Sequence, residues 1–282
     1  CKTERVVTVY SQGVNQSVGG TDKVNAILNC HLATGRIGRP GMGPFSITGQ
    51  PNAMGGREVG GLANQLAAHM DFAPEDVDRV ARFWGSSAIA TKPGLKAVEM
   101  FQAVADGRIK AIWIMGTNPV DSLPEADGVL PAAAWGEKDG TVTNSERRIS
   151  RQRPFMDAPG EAKPDWWQIC QVAKRMGCAG FDYQSPFEIF AEHARLSGFE
   201  NDGSRDFDIS AWVDADQQRY DEMHPFRWPA REDGTEAERF FSDGNFFTPD
   251  RRGRLVAVGS PEPRVFNPDF PMVLNSGRVR DH

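Results

Sequence analysis

The sequence predicts an α/β fold, a mostly parallel sheet with flanking helices, and two stretches carry that prediction. In the first, the β-branched run Arg5–Ser11 passes through a polar, Gly-containing loop into an amphipathic helix. In the second, the helix pattern of Gly94–Arg108 leads into the apolar run Ile109–Met115 and then the loop GTNP, Gly116–Pro119. Strands that alternate with helices are the pattern of a parallel sheet.

Each element has a local reason. RVVTVYS is short and β-branched, as a buried strand is. GVNQSVGG follows as a loop, and TDKVNAILNCHLATG as a helix: Thr21 is its expected N-cap, and Val24, Ile27, Leu28, His31 and Leu32 recur at helical spacing. Gly35 supplies the stop. Ile109–Met115 is expected to be a buried strand. EKDG is a turn, and TVTNSERRISRQ an arm of a hairpin. There Arg147, Arg148, Arg151 and Arg153 form a basic cluster that suits either a solvated edge strand or a contact to an anion or domain. KPDWWQICQVAKRMG is a helix with Pro164 near its first position and Asp165 in its first turn, burying Trp166, Ile169, Val172 and Met176. From about Gly180 to Asp250, Gly, Asp, Pro and aromatic residues rise and periodicity weakens, as in an irregular insertion. FFTPDRRGRLVAV, Phe246–Val258, is a turn leading into a strand.

Composition narrows the function. The chain has 282 residues, enough for one large domain or two small ones. A net charge of −6 argues against a dedicated nucleic-acid binder, which relies on a basic field. No apolar run approaches the roughly 18–20 residues of a membrane span. Cys1, Cys30, Cys170 and Cys178 form no metal-type grouping, so buried free thiols in a reducing compartment are expected. The absence of an initiator Met and the break at NSGRVRDH, Asn275–His282, suggest a piece of a longer protein.

In a parallel α/β sheet, ligands sit beyond the carboxyl ends of the strands. Gln12, Gly13, Asn15 and Gln16 follow the first predicted strand, and Thr117 and Asn118 follow the other. Neutral amides and hydroxyls suit a ligand rich in ring nitrogens, ring carbonyls and sugar hydroxyls, although Asn and Gly also form ordinary turns. Neither standard phosphate loop is present.

The stretch from YSQGVNQSVGG through FSITGQPNAMGGREVGGLANQL, followed by GTNP, LPAAAWGEKDGTVTNSERRISRQR, KPDWWQICQVAKRMG, FFTPDRRGRLVAV and LNSGRVRDH, resembles the molybdopterin oxidoreductases that carry bis-molybdopterin guanine dinucleotide. Within that family it is most similar to the assimilatory nitrate reductases. The resemblance implies the family's third, α/β domain with the first residues of the fourth. It implies segments 1–180 as the cofactor-binding domain, 181–258 as an irregular extension, and 259–282 as a linker into the C-terminal domain. Gln12 and Gln16 are then expected on the cofactor, and Asn118, Lys138 and Asp165 on its nucleotide portion, all in one cleft. A carboxylate such as Asp165 can accept from both the N1–H and the amine of guanine. Ser276, Gly277 and Arg278 resemble the start of a further cofactor loop. TGQPNAMGG, with Gln50 and Asn52, resembles a loop near the substrate funnel, where small residues permit close backbone approach.

The parent implied is a cytoplasmic enzyme reducing nitrate to nitrite at molybdenum, fed by a 4Fe-4S cluster and an electron donor. Its partners would be its own remaining domains, with no nucleic acid and no membrane; formate dehydrogenases are the alternative in the family, and a non-catalytic nucleotide-binding module the alternative outside it. No catalytic residue or metal ligand is expected in this chain, which alone would be inactive and would not retain the cofactor. Relative to the family, the segment 120–129 joins GTNP to LPAA almost directly, where a helix, a strand and a nucleotide loop are expected.

Overall fold

The computed structural model of the protein describes residues 2–17, 19–47, 49–116, 130–234, 239–259 and 269. The chain forms two compact units. The first comprises Cys1–Ile47 with Phe241–Asn245 and Arg252–His282, and the second Thr48–Phe240 with Phe246–Arg251.

The first unit is a strand–helix–strand crossover. Strand β1 (Val7–Tyr10) leads into the short helix α1 (Gln12–Asn15), then α2 (Gly20–Ala33), then β2 (Gly43–Ser46). β1 and β2 pair in parallel, Val7 opposite Gly43 through Tyr10 opposite Ser46. This parallel pair with its crossover helix bears out the α/β prediction. The predicted loop after β1 is instead helical, because Ser11 O accepts from both Val14 N and Asn15 N. Thr21 is not the cap of α2. Gly19, at φ 68°, turns the chain one residue earlier and starts the helix at Gly20. A Cβ on Gly20 would lie 2.5 Å from Asn15 O and 2.7 Å from Val14 O, so the α1–α2 junction has room only for hydrogen. The predicted stop at Gly35 holds: its N–H reaches Leu32 O and that of Arg36 reaches His31 O. His31 is buried, and its Nε2 lies 2.8 Å from Thr8 Oγ1, which ties α2 to β1.

Two predicted strands do not form. Ile109–Met115 follows α5 (Ala97–Ala105), but it has no ladder partner among the described residues and leaves Ile112, Trp113 and Met115 exposed. A buried strand requires a neighbour on at least one edge to satisfy its backbone, and local propensity does not supply one. The run ending at Val258 is likewise without strand pairing. The two Asn29 side-chain hydrogen bonds, one from Nδ2 to Val256 O and one from Val256 N to Oδ1, hold it in place of a ladder.

The second unit packs α3 (Ala53–Glu58), α4 (Pro74–Trp84) and α5 with an antiparallel sheet of β3 (Gly140–Thr143), β4 (Arg148–Gln152) and β5 (Phe226–Arg227), in the order β3-β4-β5. Helices α6 (Asp165–Arg175), α7 (Pro186–Gly198) and α8 (Gln217–Asp221) complete it. The predicted hairpin and the helix from Asp165 are both present. The buried face of α6 differs from the prediction: it carries Gln168, Cys170 and Ala173, while Met176 is exposed in the cap of the helix. Cys170 is a buried free thiol as expected, whereas Cys30 and Cys178 are free but exposed.

Much of the core comes from the stretch that lacks sequence periodicity. Phe190, Ala194 and Leu196 of α7 pack with Phe207, Ile209, Trp212, Tyr220, Met223 and Trp228, together with Met70, Val80 and Ile149. α7 itself is well specified, with Ser185 Oγ accepting from Glu188 N, Pro186 at its first position, and the Glu188 carboxylate accepting from Gln184 N.

Gly20→Ala is expected to destabilise the first unit by about 1–3 kcal/mol, because the new methyl has no space. Gly13→Ala, where nothing lies within 4 Å, should leave stability close to wild type. Paired urea denaturation curves of the two variants test this; equal midpoints would show that the α1–α2 contact does not constrain the chain.

Candidate functional site

At the carboxyl ends of β1 and β2, the first unit gathers short polar side chains. The Ser11 hydroxyl lies 3.0 Å from Gln12 Oε1 and within reach of Ile47 O, and Asn15 Nδ2 donates to Ser46 Oγ at 3.3 Å. Gly13 has open space above it. Gln16 is exposed, with its N–H turned back to Gln12 O. Helix α1 therefore presents neutral amides at the strand ends, where parallel sheets bind ligands.

In the second unit, Lys138 Nζ donates to Asp165 Oδ2 at 3.2 Å, with both side chains about one-third exposed. Lys138 ends the 3-10 turn Trp135–Glu137, which is fixed by Glu137 Oε2 accepting from Ala134 N. Asp165 opens α6, where the helix dipole favours a carboxylate. The structure thus joins the two residues expected to serve a nucleotide. A half-exposed pair contributes little to stability, so both groups can exchange partners at small cost.

The loop expected near a substrate funnel turns out to be anchored. Gln50 is exposed, but Asn52 Oδ1 accepts from Thr143 N at 2.8 Å. Six residues on, at the other end of α3, Glu58 is 4% exposed. Its Oε2 accepts from Thr143 Oγ1 at 2.8 Å and its Oε1 from Trp228 Nε1 at 2.6 Å. Thr143 is thereby gripped by both ends of α3. Burial pushes the Glu58 carboxyl up to about 7, opposed by its two donors and by nearby His69, and reinforced by Asp206. His69 Nδ1 pairs with Asp206 Oδ1 at 2.8 Å, and both His69 and the partly buried His193, whose Nε2 is out of reach of solvent, lie against Phe207. Burial, with His69 adding to it, holds His193 down to about 4. Sequence reasoning missed this cluster, because Glu58, Thr143 and Trp228 are far apart in the chain and none belongs to a recognisable pattern.

The basic cluster on the hairpin is resolved as an internal contact. Arg147 donates to Trp228 O and lies 3.8 Å over Phe240. Burial, with Arg227 adding to it, lowers Arg147 to about 10. Arg148 reaches Pro225 O, and Arg153 reaches Asp221 O. Arg151, with a side chain only 3% exposed, pairs with Asp139 and Asp221 and stacks on Tyr220. Burial opposes its charge, but these acceptors keep its pKa above the ordinary value. Of the two readings open for the four arginines, a solvated edge or a contact to an anion or domain, the structure shows a contact: they stitch the hairpin to residues 220–228.

Thr117, Asn118, the shortened segment 120–129, Ser276, Gly277 and Arg278 lie outside the described residues. Among the described residues there is no group of three or more His, Cys, Asp or Glu arranged to hold a metal ion, and no helix long and apolar enough to cross a membrane.

Glu58→Ala would leave the Trp228 and Thr143 donors without an acceptor, and is expected to cost about 2–4 kcal/mol. Glu58→Gln keeps an acceptor and a donor in place. Because the folded carboxyl titrates near 7 and the unfolded one near 4.5, its contribution is full below 4.5 and is lost as pH rises toward 7. The stability difference between wild type and Glu58→Gln should shrink over that interval, by about 1.4 kcal/mol per pH unit where the slope is steepest. Urea midpoints of both proteins across the interval measure this, and a constant difference would show that Glu58 is ionised when folded.

Comparison with known proteins gives the family. The family model described as Molybdopterin oxidoreductase matches the chain in two segments, residues 2–126 and 121–175. The two matches meet inside the stretch that the sequence marks as shortened. A nitrate reductase of Klebsiella oxytoca is 50% identical over 308 aligned positions, more than this chain has residues, covering 98% of this chain and 35% of its own length. A nitrate reductase of Shewanella frigidimarina is 46% identical, covering 99% of this chain and 33% of its own. A Bacillus subtilis protein with a formate dehydrogenase name is more distant, 31% identical over 97% of this chain. The chain spans about a third of the length of the two nitrate reductases. With a family match running through residues 2–175 and strong identity over nearly its whole length, the chain belongs to the molybdopterin oxidoreductase family.

Proposed function

We propose that this chain is the cofactor-holding part of a molybdenum-dependent nitrate reductase that converts nitrate to nitrite in the cytoplasm. The observation that carries the proposal is the 50% identity to a nitrate reductase across 98% of the chain, against 31% to the formate dehydrogenase-like relative. The complete enzyme takes two electrons and two protons to turn nitrate into nitrite and water, with the electrons arriving from a donor protein through a 4Fe-4S cluster. Bis-molybdopterin guanine dinucleotide supplies the redox metal, and this chain supplies position and electrostatics.

The donor set fits such a cofactor. Gln12, Gly13, Asn15 and Gln16 offer neutral donors and acceptors at the strand ends, suited to a pterin with its many ring nitrogens and carbonyls. Asp165 offers two acceptor oxygens for the N1–H and amine edge of guanine, and Lys138 a cation for its ring carbonyl or for pyrophosphate. Thr117 and Asn118, with Ser276, Gly277 and Arg278, complete the proposed contacts. Gln50 and Asn52 mark the side from which substrate enters. The Thr143 contact of Asn52 gives that loop a fixed base.

The test uses the longer protein that contains this chain. Reduced viologen with nitrate should yield nitrite, and formate should not reduce a dye; the reverse result would assign the chain to the formate enzymes. Asp165→Asn in that protein should weaken cofactor retention by about 1–3 kcal/mol, read as a lower molybdenum-to-protein ratio. The isolated 282-residue chain should hold no stoichiometric molybdenum and form no nitrite above background. Activity from the isolated chain would overturn its assignment as one wall of a larger site.

A further inference from the structure

The first unit contains a second polar concavity, at the opposite end of β1 from the amide cluster. It is a cavity of about 440 Å³ lined by Lys2, Thr3, Glu4, Thr34, Arg36, Arg39 and Met42. The stretch after α2 builds it by repeating a Gly-Arg pair. Gly35 (φ 61°) precedes Arg36 and Gly38 (φ 78°) precedes Arg39, so each arginine follows a left-handed turn. A Cβ on Gly38 would lie 2.2 Å from Phe241 O, which pins the second turn closely against the backbone. A Cβ on Gly35 would be 3.9 Å from Arg39 Nη2, so the second guanidinium returns over the first turn.

Among the described residues, no ion pair neutralises the charges in this cavity. Arg36 donates to Thr3 O at 2.7 Å, Glu4 O at 3.2 Å and Thr34 Oγ1 at 3.1 Å, all of them uncharged acceptors. These bonds hold the guanidinium in place without cancelling its charge. Its field adds to burial in lowering the neighbouring His31. No ion pair forms among Lys2, Glu4, Arg36 and Arg39, although the Glu4 carboxylate lines the same cavity. A fixed cation beside two further cations, in a cavity larger than a single oxyanion, describes a receptor for a charged group carried on a small body. Met42 supplies an apolar wall for that body.

We propose that this cavity binds a small phosphate-bearing molecule, with Arg39 and Lys2 on the phosphate oxygens and Arg36 as a fixed source of positive potential. The site is separate from the cofactor contacts proposed at the other end of β1, and it does not depend on the assignment of the enzyme.

Inorganic phosphate is the probe. It is titrated into the chain at constant ionic strength with chloride as the control, and the Arg Nε–H resonances are followed by NMR. Phosphate should shift the Arg36 and Arg39 signals saturably, and chloride should not. Arg39→Gln should raise the phosphate Kd by about five-fold or more, and Glu4→Gln, which removes the carboxylate from the cavity, should lower it by about two-fold. Both side chains are exposed, so neither change is expected to unfold the chain. Non-saturating shifts that match chloride, or a phosphate affinity indifferent to both substitutions, would overturn the proposal.

Discussion

The second unit depends on one buried carboxyl. Glu58 stands at the end of a six-residue helix that could not persist alone in water, and its two oxygens take hydrogen bonds from a β-strand and from a tryptophan 170 residues further on. Leaving such a group unpaired in an apolar interior is costly, whereas satisfying both oxygens makes the surrounding geometry nearly obligatory. Trp228 is then fixed between Glu58 and the stacked guanidinium of Arg147, and Phe207 packs edge-on to it. The Gly-rich loop, the hairpin and the aromatic core meet at this point. Disturbing it would loosen all three together.

The first unit is built on a different constraint, the close approach of backbones. Gly20 and Gly38 leave no room for a methyl group, and the positive φ angles after α2 recur at short intervals. Such positions fix the direction of the chain more strictly than apolar packing does, because a side chain there meets carbonyl oxygens that cannot move aside. The consequence is two polar ends on a small parallel pair: neutral amides at the carboxyl ends of the strands, and arginines at the amino end of β1. The bare apolar residues Val7, Val9 and Phe45 lie on the same pair. Among the described residues this parallel sheet has two strands and an uncovered face, whereas parallel sheets are normally covered on both sides.

Under the proposed function this division would have a use. An extended dinucleotide cofactor needs many modest contacts spread over a long path. On that proposal, short amides on turns, a carboxylate at a helix start and an adjacent ammonium would provide such contacts without a deep pocket. The redox chemistry would be left to the cofactor.

The sequence by itself determined the local grammar: the strand and crossover helix of the first unit, the hairpin, the helix opening at Asp165, and, through motif resemblance, the family. These follow from periodicity, turn residues and caps, which act over a few residues. By resemblance it also assigned Lys138 and Asp165 to the nucleotide portion of a cofactor, and the two side chains form an ion pair. What only the tertiary structure decided was the fate of groups whose partners are distant in the chain. The run Ile109–Met115 has every local mark of a strand, yet strand identity belongs to a pair and no partner meets it among the described residues. The aromatic-rich stretch from Gly180 lacks period and still supplies the core, because packing there follows ring contacts between turns rather than one helical face. In sequence the arginines of the hairpin suit a solvated edge as well as a contact to an anion or domain, and nothing marks the carboxyl of Glu58 for the interior. Burial decides both, since a charge or acid removed from water must be matched by whatever the rest of the fold brings to it.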